Sequence, residues 1–234
     1  MKSPRRLGWL WIVGVLGALL VGFVLWFALA RPLVVLPRMQ LAPGYGLTDA
    51  SGKLVSSEDQ RGVVTVYTFA YSRCEKTCDA IYDALRMLDE ELARRQAAND
   101  PAGLPFSDPP LRVITLSIDP EYDTPERLNA VGLPFEPKAI EWIWLTGTPE
   151  RMKSIVGGNF EVFYQTQDDG SLVFGQRLVL VDGAGVVRAD LEPPNLSGEK
   201  LIAYLDYLYD EIRNSSGAAN IAYEAAHFFA CYPH

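Results

Sequence analysis

Histidine is almost missing from this 234-residue chain: there are two, at positions 227 and 234, and none between Met1 and Ala226. An imidazole base or metal ligand can therefore come only from the tail. Cysteine is also scarce. Three is an odd number, too few for a disulfide framework, and is most simply one pair plus Cys231. Basic residues are in deficit, with 21 Lys and Arg against 29 Asp and Glu. Residues 1–30 hold three of the basic residues and no acidic one, so residues 31–234 carry a net charge of −11. That excludes nucleic acid as a partner and broad attraction to anionic lipid. Internal repeats are absent, and so is any low-complexity tract outside residues 7–30.

What the chain does have, first, is an uncharged apolar run of 24 residues, 7–30. That is long enough to cross a hydrocarbon core of about 30 Å. Lys2, Arg5 and Arg6 precede it and place the N-terminus in the cytoplasm, and Trp9, Trp11 and Trp26 suit the interfaces. Ala28-Leu29-Ala30 also resembles a signal-peptidase site. Against cleavage, the run exceeds the usual signal core, and Arg31-Pro32 is a poor start for a mature chain. The expectation is a single-pass protein of the plasma membrane or an equivalent membrane. Its domain lies on the extracytoplasmic side, where a disulfide is permitted. The segments are then a cytoplasmic N-terminus (1–6), an anchor (7–30), a Pro-containing linker (31–46), one domain (47–212) and a tail (213–234).

Within the domain, residues 47–55 read as a hairpin and residues 63–70 as a buried strand. Residues 77–95 read as a helix with apolar positions Ile81, Leu85, Leu88 and Leu92 on one face. Residues 99–110 are a Pro-rich loop. Residues 111–118 form a second buried strand ending at Asp119-Pro120. Thr124-Pro125 caps and opens a short helix. A strand at 142–145, a helix opening at Thr148, extended pieces on either side of an Asp-Asp-Gly turn, a hairpin at 178–188 and an amphipathic helix at 197–212 complete an α/β domain with a central sheet flanked by helices.

Cys74 and Cys78 follow the first buried strand, at the start of the first helix of that domain. A helix N-terminus favours thiolate over thiol, and residues i and i+4 share a helical face, so the two sulfurs are expected to converge. Converged thiolates close to a disulfide or bind a soft ion such as Cu(I). Two inert buried cysteines are the plainer alternative. The placement is a thioredoxin-like one.

Thr68-Phe69-Ala70-Tyr71-Ser72-Arg73-Cys74-Glu75-Lys76-Thr77-Cys78 resembles the signature of the Sco family, membrane-anchored thioredoxin-fold proteins that help assemble the copper site of cytochrome c oxidase. Asp119-Pro120-Glu121-Tyr122-Asp123-Thr124-Pro125, Trp142-Ile143-Trp144-Leu145-Thr146-Gly147 and Arg177-Leu178-Val179-Leu180-Val181-Asp182-Gly183 agree with later segments of the family, in order. The resemblance implies copper at Cys74 and Cys78, and as partner the copper-site subunit of the oxidase or another respiratory-complex protein. This chain departs from the family at three places. Glu75 and Asp79 stand where the family has proline after each cysteine. Phe174 falls where the family carries its third copper ligand, a histidine. Two thiolates without imidazole suit Cu(I) rather than Cu(II).

Other candidates carry less chemistry. Asp119 could lie near the cysteines, in their second shell, or simply end a strand. Asp123 and Thr124 read as turn and cap, Trp142 and Trp144 as core or interface, and Asp89-Glu90-Glu91 with Arg94-Arg95 as a solvated helix face. In the tail, His227, Cys231 and His234 are spaced i, i+4, i+7. They could bind metal or donate to the main site, or the segment could simply pack as an amphipathic helix. Three functions remain open: a Cu(I) metallochaperone, a thiol-disulfide oxidoreductase needing no cofactor, and an accessory subunit of a respiratory complex.

Overall fold

A computed structural model describes residues 4–30, 34–74, 76–98, 108–168, 170–215 and 219–228. The described residues form two compact units, Arg38–Asp210 and a smaller one drawn from Met1–Pro37 and Glu211–His234.

The larger unit is built on a seven-stranded sheet of order β2-β1-β5-β4-β3-β8-β9. Its centre is three parallel strands, β3 (Val64–Ala70), β4 (Leu111–Ser117) and β5 (Glu141–Thr146). Every residue of β3 is buried, as a central parallel strand with both faces covered requires. That is why its sequence is a continuous apolar run rather than an alternation. The hairpin β1 (Gly46–Asp49) and β2 (Leu54–Ser56) adds antiparallel to β5. On the other side β8 (Leu178–Val181) and β9 (Val187–Leu191) add antiparallel to β3. Residues 39–42, within the stretch read as linker, bond along this last hairpin through Met39 and Ala42.

Helices cover the sheet. α2 (Asp79–Ala97) buries Ile81, Leu85, Leu88 and Leu92, the expected face. α3 (Pro125–Val131) and α4 (Pro149–Met152) each start at a threonine cap followed by proline. A π-helical turn, Lys153–Asn159, continues α4. A separate two-stranded ribbon, β6 (Tyr164–Thr166) and β7 (Leu172–Phe174), precedes β8. α5 (Gly198–Asn214) closes the layer.

One charge cluster is not the solvated face it was read as. Asp89 is buried and accepts from the backbone N–H groups of Lys138, Ala139 and Ile140 at 2.8–3.1 Å, so it caps the segment entering β5. Arg95 crosses to Asp206 of α5, at 2.6 Å, while bonded to Glu91 of its own helix. Trp142 and Trp144 are core, as expected.

In the smaller unit, Pro4–Ala30 is a continuous 27-residue helix, α1. Among the described residues, however, no helix is long and apolar enough to cross a membrane. The structure bears out the helix and does not show the transmembrane anchor expected of it. α6 (Ala219–Phe228) packs Tyr223 and Ala226 with Val35.

Candidate functional site

The parallel strands end on one edge of the sheet, and the turns leaving β3 and β4 meet there. In such sheets this edge is where ligands and reactive groups gather. Tyr71 to Cys78 leave β3, and Asp119 to Thr124 leave β4. Residues Ala70 and Ser117 are paired in register, so the two turns start side by side.

Cys74 and Cys78 are joined as a disulfide, with Cα atoms 5.9 Å apart. The route to this pairing differs from the expected shared helical face. Lys76–Cys78 is a 3-10 turn, α2 begins only at Asp79, and Cys78 is its N-cap residue. The sulfurs meet because a tight loop closes on itself, with Cys74 N–H donating to Tyr71 O at 2.9 Å. The helix N-terminus consequently lies next to Cys78, not Cys74. Cys78 is fully buried, whereas Cys74 is partly exposed. A thiol or thiolate arriving from outside can reach Cys74 alone. Glu75 lies outside the described residues.

The Asp119–Thr124 turn braces this loop. Asp123 is 0% exposed. It accepts from Ser72 N–H at 3.0 Å, from the Ser72 hydroxyl, and from the Ser117 hydroxyl at 2.6 Å. A buried carboxyl group so satisfied is costly to disturb, about 1.5–3 kcal/mol for each hydrogen bond lost. By sequence pattern Asp123 is a turn residue, and its part as the buried acceptor of this loop emerges only in the structure. The available signal was a second carboxylate four residues after the strand-ending Asp119. Asp119 itself pairs with Arg73 at 2.5 Å, a partly exposed ion pair worth about 1 kcal/mol or less. Its hydrogen bond raises the Arg73 pKa. The Arg73 guanidinium also lies 4.0 Å from the Tyr122 ring centre, with Arg127 at 4.1 Å from the same ring. Asp119 thus reaches the cysteine loop through Arg73.

The β7–β8 connection braces the other flank. Gln176 donates its amide N–H to Thr77 O at 2.5 Å, one residue before Cys78. Phe174, at the place of the family's ligand histidine, is buried, with its ring edge-on to Tyr71 at 6.3 Å. The third position is filled by a hydrocarbon face that offers no donor. Among the described residues no group of three or more His, Cys, Asp or Glu side chains could hold a metal ion.

Of the tail candidates, His227 is described: its Nε2 is 3.1 Å from Glu211 within the smaller unit. Cys231 and His234 lie outside the described residues.

A disulfide-bonded pair of cysteines at the first strand-to-helix turn of a mixed sheet flanked by helices defines a thioredoxin-like fold. The SCO1/SenC family model matches residues 36–210, and the chain belongs to that family. Protein SCO2 of Saccharomyces cerevisiae mitochondria is 27% identical over 125 residues, 53% of this chain. Those residues are 36% of the yeast protein, so the chain spans little more than a third of that curated relative. The copper-bound structure of Arabidopsis thaliana ScoI superimposes with a TM-score of 0.55 at 21% identity, covering 74% of this chain and 98% of that one. BsSco, described as a member of the Sco family of cytochrome c oxidase assembly proteins with a disulfide switch, gives 0.56 at 21% identity, covering 74% and 95%. At such identities the likeness is one of fold.

Proposed function

We propose that this chain assists maturation of the copper site of cytochrome c oxidase, with Cys74 and Cys78 in reduced form holding Cu(I) as cargo. Membership of the SCO1/SenC family and the copper-bound relative support the setting. The observation that carries the reading is the pair itself: two sulfurs brought into contact, one buried and one partly exposed, beside an aromatic ring in place of a third ligand. Two soft thiolates suit Cu(I), and the donor set lacks the imidazole that Cu(II) favours. The exposed Cys74 gives a route for handing the ion to a partner's thiols. The partner is the copper-site subunit of the oxidase or another respiratory-complex protein. In this reading the N-terminal helix anchors the chain in the membrane and the domain lies on the extracytoplasmic side.

The oxidised pair favours a second reading, a thiol-disulfide oxidoreductase that reduces a partner's cysteines before they receive copper. Anaerobic Cu(I) titration of the reduced full chain separates the two. The first reading expects one Cu(I) per chain, lost in Cys74→Ser and in Cys78→Ser. Failure of the reduced wild type to compete for Cu(I) with a chelator would rule out the first.

A further inference from the structure

The Asp123 carboxylate ties the cysteine loop to the sheet. Its donor Ser117 is the last residue of β4, and its other donor, Ser72, stands two residues before Cys74 and contributes both its N–H and its hydroxyl. The opposite flank of the loop is tied separately, by Gln176 to Thr77 O. A chain segment fixed at both ends and closed by a bond between Cys74 and Cys78 has little freedom to separate its two sulfurs once that bond is reduced. We propose that Asp123 is a positioning residue for Cys74: acting through Ser72, it sets the equilibrium between the disulfide and the dithiol. This rests on Cys74 and Cys78 being the working pair.

Closure of a disulfide within one chain depends on the effective concentration of one thiol at the other, and a held geometry raises it. Loosening the Ser72 flank should therefore shift the pair toward the dithiol. Asp123→Asn is nearly isosteric but exchanges one acceptor oxygen for an N–H₂ donor. Facing one N–H and two hydroxyls, it cannot accept all of the present bonds. Asp119 is the weaker candidate, because its link to the loop is the long, half-exposed Arg73 side chain rather than a buried bond to the backbone beside Cys74.

The test is a redox titration of the full chain in reduced and oxidised dithiothreitol. The Cys74–Cys78 disulfide takes two electrons and two protons to give two thiols, and dithiothreitol supplies both as it closes to its own cyclic disulfide. The oxidised fraction is read by alkylation and mass shift. Asp123→Asn should lower the disulfide-forming constant about tenfold, a rise in reduction potential of about 30 mV for a two-electron couple. Ser72→Ala, which keeps the N–H bond and loses the hydroxyl, should move the constant in the same direction by less. The double variant should move it no further than Asp123→Asn alone, since both act along one path. A melting temperature that falls in Asp123→Asn while the constant stays put would show that Asp123 only supports the fold, and would overturn the proposal. Should Asp123→Asn not fold, an unmoved constant in Ser72→Ala overturns it equally. A wild-type pair that never equilibrates with the buffer would overturn the functional reading beneath it as well.

Discussion

Replacing Phe174 by histidine should give this site the donor it lacks. The ring is 7% exposed, lies on β7 opposite Tyr164, and meets Tyr71, which is three residues before Cys74. Two residues further on, Gln176 touches the backbone between the cysteines. A side chain at 174 is therefore anchored in the same corner as the sulfurs. Losing the buried phenyl and burying an imidazole in its place should cost about 2–3 kcal/mol of stability. Set against that is a third, nitrogen ligand beside two thiolates. We expect Cu(II) affinity of the reduced chain to rise at least about 100-fold in Phe174→His, or about 2.8 kcal/mol at 1.4 kcal/mol per decade. The assay is anaerobic Cu(II) titration of the reduced full chain, following sulfur-to-copper charge-transfer absorption. The wild type should show little of this absorption and Phe174→His a strong band. Strong absorption in the wild type would refute the reasoning, because it would require a nitrogen ligand from elsewhere. So would its absence from a folded, reduced Phe174→His chain, which would mean that position 174 does not reach the sulfurs.

Three further outcomes are expected. Cys78→Ser should trap a mixed disulfide between Cys74 and an oxidised partner, while Cys74→Ser should trap almost none, because Cys78 is fully buried; faster alkylation of Cys78 than of Cys74 in the single variants would reverse the roles. Burial pushes Tyr67 up from 10.0 to about 12, and burial chiefly also raises Tyr45, Tyr82 and Tyr209; the folded state keeps phenolic protons that the unfolded chain has lost, so this stabilisation is complete below pH 10 and is lost as pH rises through about 12. Denaturant midpoints across that interval should fall as phenolate absorption appears, and early ionisation of all tyrosines without unfolding would contradict the burial. For the N-terminal helix, alkaline carbonate should leave the full chain in the membrane pellet; release of the intact protein would remove the anchor from the proposed function.

Most of the fold was legible because its elements announce themselves locally. The buried parallel strands β3 and β4 are apolar runs, α3 and α4 begin with threonine followed by proline, and α2 repeats its apolar face at Ile81, Leu85, Leu88 and Leu92. The cysteine pair was legible for the same reason, since both residues and the strand before them are contiguous. What escaped were side chains whose partners are distant in sequence. Asp89 and Glu90 are neighbours on one helix, yet Asp89 caps backbone 49–51 residues away while Glu90 stays outside. No periodicity separates a carboxylate with such a destination from one without.

The cysteine turn shows how a small error of register alters a chemical conclusion. Reading Cys78 as helical placed both sulfurs on one helix face and the helix N-terminus at Cys74. In the structure α2 starts one residue after Cys78, and the three residues ending at Cys78 form a 3-10 turn. Helix-terminal stabilisation fades within about one turn, so it now favours the buried sulfur rather than the exposed one. The choice of attacking residue then rests on access: the loop leaves Cys74 partly exposed while Cys78 is buried. A site that exposes one sulfur and buries the other suits stepwise exchange. Under the proposed function, a partner's thiol or Cu(I) would meet Cys74 first, with Cys78 completing the bond or the coordination from within.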